Sequence, residues 1–145
     1  MVDVRFVVID VADAVAAAVE AVMPVVQERS QHLESRISPG LMLDADLARL
    51  TQVVSNLLNN ASKFTQRGGR IEVSATRQAD TVRVVVSDNG PGIDPALRDH
   101  VFEPFVSSKP SGQGLGLSLV RKLVRDMNGN VSHDRDARAG LTNFR

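Results

Sequence analysis

One amphipathic stretch, residues 46–65, constrains the fold of this chain more than any other segment. Its apolar residues recur at the i, i+3, i+4, i+7 spacing of a helix that buries one face against a core. They are Leu47, Leu50, Val53, Val54, Leu57, Leu58 and Ala61. The pattern predicts one long helix, and we expect the rest of the chain to be organised around it.

Three polar residues share another face of this helix. Asn56, Asn60 and Lys63 are spaced i, i+4 and i+7, so their side chains lie together. Two amides and an ammonium could coordinate a hydrated metal ion and hold phosphate oxygens. The alternative is a solvated polar face, which most surface helices show opposite their apolar stripe.

The composition indicates one globular domain, residues 1–145, and excludes several classes of function. The chain is 43% hydrophobic, its formal net charge is zero and it has no cysteine. Because the charges balance, no excess of basic residues indicates binding to nucleic acid or to an anionic membrane. Because cysteine is absent, disulfide bonds and thiolate catalysis are excluded. Because neither a signal peptide nor a membrane-length apolar run is found, we expect a cytoplasmic domain without membrane contact.

The other segments predict further helices and strands. Asp10 or Asp13 can cap a first helix that runs to about Gln31, with a kink or break at Pro24. Asp44 or Asp46 can cap the central helix, and Gly68 or Gly69 suits the position after its end. Strands are expected at residues 5–11, 36–38, 41–43, 70–78, 81–87, 130–133 and 141–144. A hairpin turn at Ala79-Asp80, a helical turn at 94–101 and a last helix at 115–127 complete the prediction.

Two glycine-rich motifs follow the central helix. GQGLGLS (residues 112–118) places Gly112, Gly114 and Gly116 at the start of a helix. Glycines let backbone N–H groups approach phosphate oxygens, and a helix N-terminus adds partial positive charge. A plain turn is the commoner reason for glycines before a helix.

The other motif, DNGPGI (residues 88–93), follows a strand rich in valine. Asp88 would lie at the rim of the core, where a carboxylate needs hydrogen-bond donors. The exocyclic amine of adenine offers such donors, and Gly90 and Gly92 leave room for a planar ring. The alternative is an aspartate that begins a turn. Lys109 could meet a phosphate as a point charge, although it also reads as an ordinary loop lysine.

These motifs together resemble the catalytic, ATP-binding domain of sensor histidine kinases, which belongs with the gyrase-type and chaperone-type ATPases. NLLNNASKFT (56–65) is similar to the N box, DNGPGI to the first glycine box, FEPF (102–105) to the F box and GQGLGLS to the second glycine box. All four occur in family order, and the resemblance covers essentially the whole chain. It implies an α/β two-layer sandwich with a mixed, mainly antiparallel sheet, helices on one face and ATP beneath a flexible lid.

The resemblance also implies roles for individual residues. Asn60, with Asn56 nearby, would ligate Mg2+; Lys63 would contact phosphate; and Asp88 would bind the adenine amine. The remaining nucleotide contacts implied are Gly90, Gly92, Ile93, Phe105, Lys109, Gly112, Gly114, Leu115, Gly116, Leu117 and Thr142. The end of the chain departs from the family pattern, because a second glycine before Thr142 and a Leu-Pro ending are missing.

The acceptor of the phosphoryl group is not recognised in this sequence. The family's phosphoacceptor histidine lies on a separate dimerisation domain and precedes an acidic residue, whereas His32 and His100 precede Leu33 and Val101. His133 precedes Asp134 but lacks the rest of that motif. The implied partners are ATP or ADP, that dimerisation and phosphotransfer domain, and a downstream response regulator. Two alternatives stay open: a stand-alone serine kinase of the anti-sigma-factor type, and a degenerate module that senses nucleotide without catalysis.

Overall fold

Each of three helices is followed by two strands in the part of the chain that the structure, a computed structural model, describes. That part comprises residues 6–79, 81–89, 116–127, 129, 133–136 and 141–144. The elements are β1 (Val7–Asp10), α1 (Val11–Glu28), β2 (His32–Ile37), β3 (Met42–Ala45), α2 (Leu47–Phe64), β4 (Arg70–Gln78), β5 (Thr81–Asp88), α3 (Gly116–Asp126), β6 (His133–Asp136) and β7 (Leu141–Phe144). The helical turn predicted at 94–101 lies outside these residues.

The described strands form two sheets. The larger sheet has the order β2-β4-β5-β7-β6, and the smaller one pairs β1 with β3. Only the β2–β4 pair is parallel in the larger sheet, because the chain returns to the same edge through β3 and α2. The mixed, mainly antiparallel sheet and the α/β class expected from the sequence are therefore confirmed.

The two short strands expected at residues 36–38 and 41–43 do not pair with each other. β2 pairs with β4 and continues into a hydrogen bond from the Ser38 amide to the Ala75 carbonyl. β3 instead runs antiparallel to β1, from Met42 opposite Asp10 to Ala45 opposite Val7. The sequence predicted two strands here but not their partners, because a local pattern can mark a strand without indicating which distant strand it pairs with.

Helix α1 begins after Asp10, whose carboxylate accepts a hydrogen bond from the Ala12 amide at 3.0 Å. The helix includes Pro24 and ends at Glu28, so the alternative of a break at the proline was wrong. Proline removes one backbone donor, but Pro24 lies on the exposed side while Val22 and Val26 are buried on the other. Burial of that apolar face holds the helix together across the lost hydrogen bond.

Helix α2 matches the stretch predicted as the centre of the fold. Asp46 is its N-cap and accepts from the Arg49 amide at 3.2 Å. Every member of the predicted apolar stripe is buried except Leu47, which is 42% exposed in the first turn. The helix ends at Phe64 with Thr65 as C-cap, so neither Gly68 nor Gly69 follows its end directly; Gly68, with φ of 80°, belongs to the next turn.

The core lies where α2 meets its neighbours. α2 packs against α1 and α3 and against strands β4 and β5. β4 contributes Ile71, Val73 and Ala75 as buried residues at alternate positions, which is the pattern of a sheet with one covered face. None of the described helices is long and apolar enough to cross a membrane.

The hairpin predicted at Ala79-Asp80 is confirmed by the register of β4 and β5. Gln78 lies opposite Thr81, and pairing continues to Ile71 opposite Asp88. Ala79 has φ of 53°, a left-handed conformation that its Cβ disfavours. The turn is therefore strained at an exposed position whose side chain contributes nothing to the core.

Ala79→Gly is expected to stabilise the protein, because glycine adopts positive φ without the steric penalty. We expect the free energy of unfolding to rise by about 0.5 to 1 kcal/mol, after the entropy cost of glycine in the unfolded chain. Urea unfolding measures this value. The matched control, Gln78→Gly in the adjoining strand, should lower stability instead; equal effects of both variants would contradict the assignment of strain to Ala79.

The C-terminal elements agree with the sequence in part. β7 has the predicted bounds, and α3 lies within the predicted helix. β6 begins at His133, where the predicted strand 130–133 was to end, because its extent follows pairing with β7 and not local composition. The larger sheet thus places β7 directly beside the end of β5.

Candidate functional site

Asp88 is the last residue of β5 and is 3% exposed. In the sheet it lies opposite Ile71 of β4 on one side and Thr142 of β7 on the other. Burial of a carboxylate is costly unless donors reach it. Asp88 thus lies at the edge of the core, where the sequence predicted it, and the strand register brings the backbone of Thr142 beside it.

The three polar residues of α2 occupy the last half of the helix. Asn56 and Asn60 are half-buried and Lys63 is exposed, so this face borders the buried stripe and opens toward solvent at its end. Amide oxygens are hard ligands of the kind that Mg2+ accepts together with phosphate oxygens. The amides lie on α2 and the carboxylate ends β5, and these two elements pack against each other.

The C-terminal end of α2 is held by residues that the sequence did not single out. The Gln31 amide donates to the Ser62 carbonyl at 2.9 Å, to the Thr65 carbonyl at 3.0 Å and more weakly to the Gln66 carbonyl at 3.4 Å. Its oxygen accepts from the Ser62 hydroxyl at 2.6 Å. Arg29 adds a guanidinium hydrogen bond to the Thr65 carbonyl at 2.9 Å.

The Ser62 carbonyl is one of those that a helix leaves without an intrahelical partner in its last turn, and Thr65 is the C-cap. Gln31 is 7% exposed and Ser62 is fully buried, so the hydrogen bonds are shielded from water. We call Arg29, Gln31 and Ser62 the α2 brace. It connects the segment after α1 to the last turn of α2, which carries Lys63.

A second set of hydrogen bonds connects the first residue of β4 to the residue after Asp88. The Asn89 side-chain oxygen accepts from the Arg70 amide at 2.8 Å, and the Asn89 amide donates to the Arg70 carbonyl at 3.1 Å. Gly69 lies between: a Cβ there would be 2.9 Å from both the Asn89 side-chain oxygen and the Gln66 carbonyl. Only glycine fits this close approach.

Of the other residues expected to contact nucleotide, some are described by the structure and others are not. Gly116 and Leu117 are the first residues of α3, and Thr142 lies in β7. The following lie outside the described residues: Gly90, Gly92, Ile93, Phe105, Lys109, Gly112, Gly114 and Leu115. For all of these the assigned roles stay predictions.

Sequence reasoning missed Gln31, Ser62 and Asn89. Ser62 follows the apolar stripe of α2. The one sign in the sequence that it could be buried is that it is a small residue next to Ala61. Gln31 gave no signal, because its hydrogen-bond partners are more than 30 residues away in the chain. His32, the next residue, begins β2, and its amide donates to the Gly69 carbonyl.

The sequence matches a family model described as "Histidine kinase-, DNA gyrase B-, and HSP90-like ATPase" over residues 45–145. The match begins just before α2 and includes β5 and β7. It thus takes in Asn56, Asn60, Asp88 and Thr142. The resemblance drawn from the four sequence motifs is confirmed.

Individual relatives give the same result. The chain is 33% identical over 126 residues to the alginate biosynthesis sensor protein KinB of Pseudomonas aeruginosa, covering 85% of this chain but only 21% of that protein. A mycobacterial sensor histidine kinase, MprB, superposes with a TM-score of 0.83 at 30% identity and covers 97% of this chain and 94% of that one. Full-length ShkA in complex with AMPPNP superposes with a TM-score of 0.86 at 30% identity, over 99% of this chain and 30% of that one.

Proposed function

The chain belongs to the histidine kinase-, DNA gyrase B- and HSP90-like ATPase family as a catalytic domain of the sensor histidine kinase type, and we propose that it transfers the γ-phosphoryl group of ATP to a histidine on a separate dimerisation domain. One observation carries the proposal: α2, the helix that bears Asn56, Asn60 and Lys63, packs on the strand that ends in buried Asp88. That pair of elements can hold the two ends of one nucleotide.

Asp88 would hold the adenine end. A buried, ionised carboxylate accepts hydrogen bonds but donates none, which selects a base with an exocyclic amine over one with a carbonyl in its place. Thr142, opposite Asp88 in the sheet, would supply a hydroxyl near the base. ShkA, a relative of the same type, has been solved in complex with the ATP analogue AMPPNP, which supports nucleotide as the ligand.

The polar face of α2 would hold the phosphate end. Asn60, with Asn56 one turn before it, offers amide oxygens for Mg2+, and Lys63 offers an ammonium to phosphate. When bound, Mg2+ neutralises charge on the β- and γ-phosphates and so assists phosphoryl transfer. The roles proposed for Lys109 and the glycine motif, closing over the phosphates, complete the site.

The residue type at position 56 also affects whether the site can activate water for ATP hydrolysis. Gyrase-type and chaperone-type relatives carry a glutamate at the position that Asn56 occupies, where it serves as general base for water. An amide cannot accept that proton, so the site positions the γ-phosphoryl group without activating water. We therefore expect slow hydrolysis by the chain alone and transfer when an acceptor imidazole is presented.

The proposal includes partners outside the chain. The acceptor domain would lie elsewhere in the parent kinase, since this chain spans 21% of KinB. The phosphoryl group would then pass to a response regulator. Since ATP is a cytoplasmic metabolite, the proposed reaction would take place in the cytoplasm.

The proposed reaction is tested by mixing the chain with the dimerisation and phosphoacceptor domain of its parent kinase and ATP labelled at the γ-phosphate. We expect label on the acceptor that is stable in alkali and lost in acid, as for a phosphorylated imidazole, and little released phosphate without acceptor. An acceptor with its histidine replaced by glutamine is the control. Rapid hydrolysis by the chain alone, or labelling of serine, would contradict the proposal.

A further inference from the structure

In the α2 brace, one buried amide acts as both donor and acceptor. The Gln31 amide nitrogen faces three backbone carbonyls, and its oxygen accepts from Ser62. A side chain with both a donor and an acceptor is needed to meet all these groups. Leucine has similar volume but would leave the carbonyls and the hydroxyl buried without partners.

The carbonyls that Gln31 binds surround Lys63 in the chain. Ser62 precedes it, and Thr65 and Gln66 follow it. Asn60 lies one turn before Lys63 in the same helix. The position and direction of this last turn therefore depend on Gln31 together with Arg29, which donates to the Thr65 carbonyl as well. Asn56 lies a further turn away from these hydrogen bonds.

The other end of the site is held by different contacts. Asp88 is fixed by its place between β4 and β7, and Asn89 is fixed by Arg70. None of these described contacts involves Gln31. A change at Gln31 should therefore move the amide and ammonium groups of α2 relative to Asp88, and should leave Asp88 in place.

We propose that Gln31 is a positioning residue for the metal and phosphate end of the nucleotide site. It acts through the backbone at the end of α2 and not through contact with nucleotide. The inference rests on the proposed function, because it assumes that Asn60 and Lys63 meet Mg2+ and phosphate. It predicts that loss of Gln31 reduces the gain in ADP affinity that Mg2+ gives and leaves ADP affinity without Mg2+ nearly unchanged. A general loss of stability would change both affinities.

The test measures ADP affinity by calorimetry in a chelator and again with saturating Mg2+, on wild type and on Gln31→Leu. ADP is not consumed, so the result does not depend on turnover. Mg2+ should raise the affinity for ADP in wild type, and we expect this increase to be about tenfold smaller in Gln31→Leu. Losses of this size are typical when a residue that orients a metal ligand, without binding the metal itself, is replaced. Affinity in the chelator should change by less than about twofold, since the adenine contact is intact.

Three further variants make the test specific. Gln27→Leu changes an exposed glutamine in the last turn of α1 and should leave both affinities unchanged. Val22→Ala creates a cavity in the core face of α1; it should lower the unfolding temperature and leave the Mg2+ gain intact. Ser62→Ala removes only the hydroxyl that holds the Gln31 oxygen, and should reduce the gain in the same direction as Gln31→Leu if the latter fails to fold.

The outcomes separate the inference from the proposed function. A Mg2+ gain in wild type that persists in both Gln31→Leu and Ser62→Ala overturns the inference alone. An equal loss in Val22→Ala also overturns it, because the effect would then follow stability. Absence of any Mg2+ gain in wild type overturns the proposed metal site, and the inference with it.

Discussion

Asp88→Asn is expected to weaken ATP binding by about 100-fold, the largest effect on affinity that we predict for one substitution. The substitution keeps the volume of the side chain, so the buried strand end should survive. It removes the charge and replaces one acceptor with an NH2 donor, which would face the amine of adenine. Calorimetry with ATP and Mg2+ measures the change.

The same variant has a second readout in base selectivity. Inosine triphosphate carries a carbonyl where ATP carries the amine, so wild type should prefer ATP and Asp88→Asn should lose most of that preference. Asp44→Asn, at an exposed position of β3, is the matched control and should behave as wild type. Wild-type selectivity in Asp88→Asn would show that Asp88 does not contact the base.

The second large effect is expected for Asn60→Ala. Removal of the amide oxygen takes away the proposed Mg2+ ligand, and we expect the rate of phosphoryl transfer to the acceptor domain to fall by about 1000-fold. Affinity for ATP in a chelator should change little, because Asn60 lies at the metal end of the site. Single-turnover transfer from labelled ATP measures the rate.

Asn59→Ala provides the control for this variant. Asn59 is the adjacent amide in α2 but is exposed, whereas Asn60 is half-buried beside the core stripe. The two substitutions therefore remove the same group from neighbouring positions that face different surroundings. Equal losses of transfer in both variants would mean that the effect comes from α2 stability and not from a metal ligand.

The sequence predicted α2 well because its information is local. The helical spacing of Leu50 to Ala61 and the cap at Asp46 require nothing beyond the segment itself. The position of Asp88 was predicted for a related reason, since a carboxylate that ends an apolar strand is expected to lie at the edge of the core. The family match and the structure agree with these predictions, while the ligand contacts of Asp88, Asn56, Asn60 and Lys63 stay predictions.

The features that the sequence did not predict depend on distant partners. β2 pairs parallel with β4, and no local pattern distinguishes that arrangement from a hairpin with β3. Pro24 stays inside α1 because Val22 and Val26 are buried, which is a tertiary effect. Gln31 is the clearest case, since a single buried amide has no periodicity and its partners lie at the end of another helix.

The central claim is that Asp88 and Asn60 hold opposite ends of one nucleotide. A crystal structure of the chain with Mg2+ and a non-hydrolysable ATP analogue tests it most directly. We expect the adenine amine about 3 Å from the Asp88 carboxylate and Mg2+ about 2.1 Å from the Asn60 amide oxygen. Nucleotide bound away from Asp88, or Mg2+ held without Asn60, would contradict it.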